Sequence, residues 1–174
     1  MLVTLQDYDE NIYRWFNRFQ SSLVLTRLFK AISHSGDGYL YLAIAVLAMF
    51  IDNANSKLFV ASCALAYLIE VPSFILLKHF FKRNRPYVQL KGSYYAIEPA
   101  DKFSLPSGHS AAAFLMFNLI AFYYPSFCFI AFIWAVLIGL SRVILGVHYL
   151  SDIIAGALLG SLCAISAILI INSM

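Results

Sequence analysis

From residue 153 to residue 171 the chain runs without one charged side chain. A helix that is apolar all round has no stable place in water, and about 20 such residues match the ~30 Å hydrocarbon core of a bilayer. Residues 58–77 repeat the pattern, bounded by Lys57 and Lys78 and interrupted only by Glu70 and Pro72. Two shorter apolar runs, 111–124 and 127–140, are parted by Pro125 and Ser126, and another, 39–51, lies between Asp37 and Asp52. Polar neighbours at their ends can complete the crossings, since modest mismatch is tolerated. The pattern predicts an all-α polytopic membrane bundle of about five transmembrane helices.

Composition supports lipid as the main solvent. Only 12% of the 174 residues are charged and 61% are hydrophobic, against about 25% charged in an average soluble domain. Too little charge is present to coat a soluble globule, a disordered segment, a coiled coil or a nucleic-acid binder. We therefore expect one membrane-embedded domain over residues 1–174, with no nucleic-acid partner. The three cysteines, Cys63, Cys128 and Cys163, lie inside apolar runs with no metal-ligand spacing and read as small packing residues. Asp7, Asp9, Glu10, Arg14 and Arg18 would interrupt the apolar core of any cleavable leader. In the same stretch Leu5, Tyr8, Ile12, Trp15, Phe16 and Phe19 recur at helical spacing opposite Asp9, Asn11, Arg14, Asn17 and Arg18. That periodicity predicts an N-terminal interfacial amphipathic helix.

One long polar stretch, residues 78–108, joins two spans, and loops of this length are usually functional or disordered. Lys78 and Arg85 lie seven positions apart, on one face of a helix that Pro86 would stop. Pro106, Ser107, Gly108 and His109 open the next span, where free amides, a hydroxyl and a glycine suit an anion. Ser141 and Arg142 precede His148 and Asp152, which are four apart. That spacing lets the carboxylate hold one ring nitrogen and leave the other free. Alternating the spans brings all three clusters to one membrane face. Cations and amides around a tetrahedral anion suit phosphoryl transfer, and two histidines can divide nucleophilic and acid–base work. With no carboxylate cluster to hold metal, we expect metal-independent chemistry without a cofactor, through a phosphohistidine.

Lys78/Arg85/Pro86, Pro106 to His109, and Ser141/Arg142/His148/Asp152 are in order the three signature motifs of the type-2 phosphatidic acid phosphatase superfamily, which the chain thus resembles over its core, residues 78–152. The resemblance implies membrane phosphatases acting on phosphatidate, phosphatidylglycerophosphate or polyprenyl diphosphates. By position it implies His148 as nucleophile, Asp152 as its orienting partner, and His109 as general acid and then base. Lys78, Arg85, Ser107, Gly108 and Arg142 would bind phosphate. Its partners would be a lipid phosphate substrate and the surrounding membrane lipids.

Two rival readings share these residues: a lipid phosphotransferase using the same phosphohistidine, and a lipid or anion transporter that cleaves nothing. Orientation divides the arguments. Eleven of the twelve Lys and Arg fall on the site's face, with Lys57 opposite. The positive-inside rule would make that face cytoplasmic, whereas the resemblance implies a cell (inner) membrane protein with its site on the extracytoplasmic face. We follow the resemblance, because site cations distort a charge count. Glu70 reads equally as a structural partner or a functional group. His34 and His79 match no motif and read as interfacial, and Lys82, Arg83, Lys91 and Lys102 as a solvated face.

Overall fold

A computed structural model describes residues 5–51, 53–99 and 101–174. Among the described residues the helices are α1 (Leu5–Asn17), α2 (Leu23–His34), α3 (Tyr39–Ile51), α4 (Asn53–Phe81), α5 (Pro86–Gln89), α6 (Gly108–Tyr123), α7 (Cys128–Ile144) and α8 (Leu150–Ser173). Of these, α4, α7 and α8 are long and apolar enough to cross a membrane, and α3 and α6 are shorter apolar helices. These five occupy the five apolar runs, and the chain is a multi-pass membrane protein. At 29 residues, α4 is about 44 Å long, more than the ~30 Å hydrocarbon core of a bilayer.

Side-chain placement follows lipid solvation. On α8 the inward residues are small, with Gly156, Gly160, Ala164 and Ala167 buried, while Leu158, Leu162 and Leu169 are exposed. Because lipid tails are as apolar as leucine, helices here associate through close backbone approach rather than by hiding large side chains. A β-carbon at Gly160 would lie 2.0 Å from the Ala111 carbonyl oxygen, and one at Gly156 would lie 2.4 Å from that of Ser107. These glycines press α8 onto α6. They also bring the Ser107 amide to the Asp152 carbonyl at 3.0 Å, fastening the second motif to the third.

The N-terminal helix is amphipathic, and it meets the protein through Asp9 and Tyr13 while Asn11 and Arg14 are exposed. Asp9 and Tyr13 are buried, whereas Leu5, Tyr8 and Trp15 are more than half exposed. Trp15, Phe16 and Phe19 form an aromatic cluster of the kind that sits at head-group level. Helix α2, which the sequence pattern did not single out, is capped by Ser22 accepting from the Leu25 amide at 3.4 Å. It packs on α7 and carries Ser33 and His34 to the site.

Candidate active site

Lys78 lies in the last turn of α4, which ends at Phe81. Lys82 turns the chain with a φ of 47°, the left-handed conformation that commonly closes a helix. Arg85 then returns beneath the loops at 1% exposure. Its Nη1 donates to the Val147 carbonyl at 2.8 Å and faces His148 Nε2 at 3.3 Å. Its Nη2 donates to Asp101 Oδ1 at 2.8 Å. Lys78 reaches the same Asp101 oxygen and the Phe103 carbonyl at 2.9 Å. Partial burial pushes the Asp101 carboxyl up, but hydrogen bonds and charge from Lys78 and Arg85 outweigh it and hold the group below the usual carboxylate range. The carboxylate thus stands between the two cations as a bound anion would.

The third predicted cation, Arg142, is buried on α7. Its Nη1 donates to Ser33 Oγ at 2.6 Å, its Nε has no hydrogen-bond partner, and no carboxylate pairs with it among the described residues. A buried guanidinium in that state favours an anion strongly. The Arg142 carbonyl accepts the amides of Val147 and His148 at 3.1 and 3.3 Å, which fixes the loop that carries the histidine.

His148 is 2% exposed and Asp152 0%. Asp152 Oδ2 accepts from the Tyr149 amide at 2.7 Å and from the Ser104 hydroxyl, and Oδ1 accepts from Arg83 Nη1 at 2.8 Å. His148 Nδ1 lies 3.5 Å from Asp152 Oδ2, longer than the roughly 2.7–3.2 Å of a normal N–H···O bond. Burial pushes the imidazole down to about 3, aided by the Arg85 and Arg142 charges and opposed by Asp152. At neutral pH the ring is uncharged, and its Nε2 faces the Arg85 guanidinium.

Arg83 corrects the expectation of a solvated cation. Besides Asp152 it bonds Asp9 Oδ2 at 2.7 Å and Gln6 Oε1 at 2.7 Å, and its guanidinium lies 4.2 Å from the centre of the Tyr149 ring. Asp9 in turn accepts the Ser151 amide at 3.0 Å. Helix α1 is thereby pinned to the carboxylate that faces His148. Lys82, Lys91 and Lys102 are exposed as expected.

At the N-terminus of α6, Ser107 is the capping residue and accepts from the Ser110 amide and hydroxyl at 3.4 and 3.1 Å. His109 Nε2 pairs with Asp37 Oδ1 at 2.8 Å, and the other Asp37 oxygen pairs with His34 Nδ1 at 2.7 Å. Burial pushes the Asp37 carboxyl up, but bonds from the two imidazoles outweigh it and hold it below its ordinary value. His34 is largely exposed and pairs with Asp37, which lines the same cavity as His109 and which no motif spacing announces. His109, Gly108 and Arg142 border a cavity of about 890 Å³ that extends to Tyr41, Tyr67 and Glu70. Lys78, Arg85 and His148 are buried and do not line this cavity, which Ile97 and Glu98 also border.

A bundle of five apolar helices that gathers buried cations near two histidine–carboxylate pairs belongs to the class of multi-pass membrane proteins. A family model described as the PAP2 superfamily matches residues 42–173, and the chain belongs to that superfamily. Phosphatidylglycerophosphatase B of Bacillus subtilis (strain 168) is 34% identical over 98 residues, covering 50% of this chain and 45% of its own. An undecaprenyl-diphosphatase of Sulfolobus acidocaldarius is 28% identical over 122 residues, covering 70% of this chain and 59% of its own. The chain therefore spans less than two thirds of the length of either relative. In three dimensions the crystal structure of Aquifex aeolicus LpxE superposes with a TM-score of 0.80 at 28% identity, covering 90% of this chain and 92% of that one.

Proposed function

We propose that the protein is a lipid phosphatase that removes the terminal phosphate of a lipid phosphate or diphosphate through a phosphohistidine on His148, without metal. The observation that carries this reading is the pairing of a buried, uncharged His148 with Arg85 on Nε2 and Asp152 on the Nδ1 side. The phosphate would displace Asp101 and take its place between Lys78 and Arg85, with Arg142 and the α6 N-terminus at Ser107 and Gly108 completing the cradle. Arg offers phosphate a planar fork and Lys a point charge, so charge spread over the equatorial oxygens meets fixed cations.

In the first step His148 Nε2 forms a bond to phosphorus as the phosphorus–oxygen bond to the lipid breaks. The leaving oxygen takes a proton from His109, which Asp37 holds in place. Asp152 stabilises the charge that His148 then carries. In the second step a water loses a proton to His109 and attacks phosphorus, the phosphorus–nitrogen bond breaks, and inorganic phosphate departs. The site lies at the ends of α4, α6 and α8, at head-group depth, on the extracytoplasmic face of the cell membrane in this reading.

Purified protein is expected to release inorganic phosphate from phosphatidate or phosphatidylglycerophosphate in EDTA. His148→Ala should lower that rate by about 10⁴-fold or more, the scale on which removing a nucleophile acts. Retained turnover in the variant, or loss of wild-type turnover in EDTA, would overturn the mechanism.

A further inference from the structure

Helix α1 has two sides with different partners. On one side Asp9 is 3% exposed, and its Oδ1 accepts the Ser151 amide at 3.0 Å. Ser151 is the second residue of α8. Its amide is therefore one of the donors that a helix start leaves free, where the helix dipole favours a carboxylate. Asp9 Oδ2 accepts from the Ser151 hydroxyl and from Arg83 Nη2, the latter at 2.7 Å. The other nitrogen of that guanidinium, Nη1, donates to Ser151 Oγ at 2.6 Å and to Asp152 Oδ1 at 2.8 Å. One Arg83 fork thus joins a carboxylate of α1 to the carboxylate that faces His148. On another side of α1, Tyr8 and Trp15 are 59% and 52% exposed. They lie seven positions apart, a spacing that shares one helix face.

Little apolar surface ties α1 to the rest of the protein. Its buried residues are Asp9 and Tyr13, and Tyr13 clusters with Leu90 and Tyr149, meeting the Tyr149 ring edge-on at 6.0 Å between centroids. The Tyr8 and Trp15 side gains its burial only when lipid covers it, and such rings favour head-group depth. A bilayer that covers this side favours the position of α1 in which Asp9 reaches Arg83. A partner shifts a conformational equilibrium by its differential affinity for the two states, and such coupling runs both ways. The chemistry is sensitive to that position through Asp152. Because Arg83 is shared between two carboxylates, Asp152 keeps more of its charge for the imidazole than an exclusive ion pair would leave it.

Resting on the phosphatase reading above, we propose that α1 couples the membrane surface to the reacting histidine, with Asp9 as a positioning residue that acts through Arg83 and Asp152. The partner of the Tyr8 and Trp15 side is the lipid surface itself. When lipid seats that side, Asp9 and Arg83 hold Asp152 in register with His148. When α1 leaves the interface, Arg83 loses one of its two anchors, Asp152 gains freedom, and turnover falls even for a substrate that never enters lipid. Helix α1 is then part of the reacting assembly rather than an anchor alone.

The test follows single turnover of a water-soluble aryl phosphate by protein in lipid nanodiscs. The rate constant reports the chemistry of each active molecule, and the amplitude counts how many molecules are active. Asp9→Ala should lower the rate constant by about tenfold or more at unchanged amplitude. Asp9→Asn, which still accepts the Ser151 amide, should recover part of that loss. The double variant Tyr8→Gln/Trp15→Gln leaves Asp9 and Arg83 in place, and should slow the same step by about fivefold or more. Phe129→Gln, an exposed position at the far end of α7, should not. A fall in amplitude alone for Asp9→Ala would make Asp9 a structural residue and overturn the positioning role. An unchanged rate constant in the double variant, or an equal slowing in Phe129→Gln, would overturn the coupling to lipid. Hydrogen exchange at the Ser151 amide, measured in nanodiscs without substrate, separates this failure from failure of the phosphatase reading. Exchange should quicken in Asp9→Ala and in the double variant whether or not the wild type hydrolyses a phosphate. Unchanged protection in the double variant would sink the coupling and leave the phosphatase reading intact.

Discussion

His148 with Asp152 and His109 with Asp37 are both histidine–carboxylate pairs, but they sit in different surroundings. His148 and Asp152 are sealed in the protein, with side chains 3% and 0% exposed, while His109 and Asp37 keep 26% and 33% at the cavity rim. The inner carboxylate is gripped by Arg83, Ser104 and the Tyr149 amide, and the outer one, among the described residues, by two imidazoles. A group that forms a bond to phosphorus profits from a fixed ring in a dry, low-dielectric setting that keeps it uncharged. A group that gives and regains a proton in each cycle profits from contact with solvent. The contrast supports the proposed division, with the nucleophile in the inner pair and the acid–base role in the outer pair.

The sharpest way to break that assignment is at the inner carboxylate. Asp152→Asn should lower kcat by about 10³-fold or more, by analogy with loss of the orienting aspartate in a catalytic triad. Single-turnover release of phosphate measures it directly, and a loss no larger than that of the outer pair would reverse the two roles. Next comes the support behind it. Arg83→Met would leave Asp9 and Asp152 buried without their cation. It should cost about 3 kcal/mol of stability, read as a lowered Tm in detergent, and should reduce kcat because Asp152 is no longer held.

Smaller effects are expected at the rim. Asp37→Asn should reduce kcat by about tenfold, since it weakens placement of a general acid and does not remove it. It should also reshape the pH profile, whereas Arg83→Met should lower the rate with the profile kept. The acid limb of wild-type kcat/KM sharpens the comparison further. Protonation removes the nucleophile, and His148 is held down to about 3 by burial and its neighbouring cations. Its protonation therefore silences the enzyme only as pH falls toward that value, and a limb centred near the ordinary histidine value of about 6.5 would belong to another group.

How much of this could be read without coordinates differs from residue to residue. Helix α8 was legible because an uncharged run long enough to cross lipid can satisfy its backbone only within itself. His148 and Asp152 could be paired from a spacing local to one loop and helix start. The expectation that Lys78 and Arg85 share a helix face stopped by Pro86 fails, because α4 ends at Phe81 and Pro86 opens α5, so Arg85 reaches Asp101 from a loop. Arg83 was misread as a surface cation, since its anionic partners lie 74 and 69 positions away at Asp9 and Asp152. Asp37 and Asp101 were missed for the same reason. An isolated acid in a loop has no periodicity, and its meaning depends on which histidine or cation the fold brings against it. A sequence-level signal did exist for Glu70, an acid inside an apolar run, but not for the tyrosines that share its cavity.

The sequence alone therefore determined the solvent of this chain, its five apolar helices, and the residue types available for phosphate chemistry. These follow from hydrophobic length and short-range spacing, which need no knowledge of distant segments. Only the tertiary structure decided which carboxylate serves which histidine, which cations remain buried beside Asp101, and what lines the cavity below them. Electrostatic partnership acts through space over a few ångströms, and Asp9 meets Ser151 across 142 positions of chain.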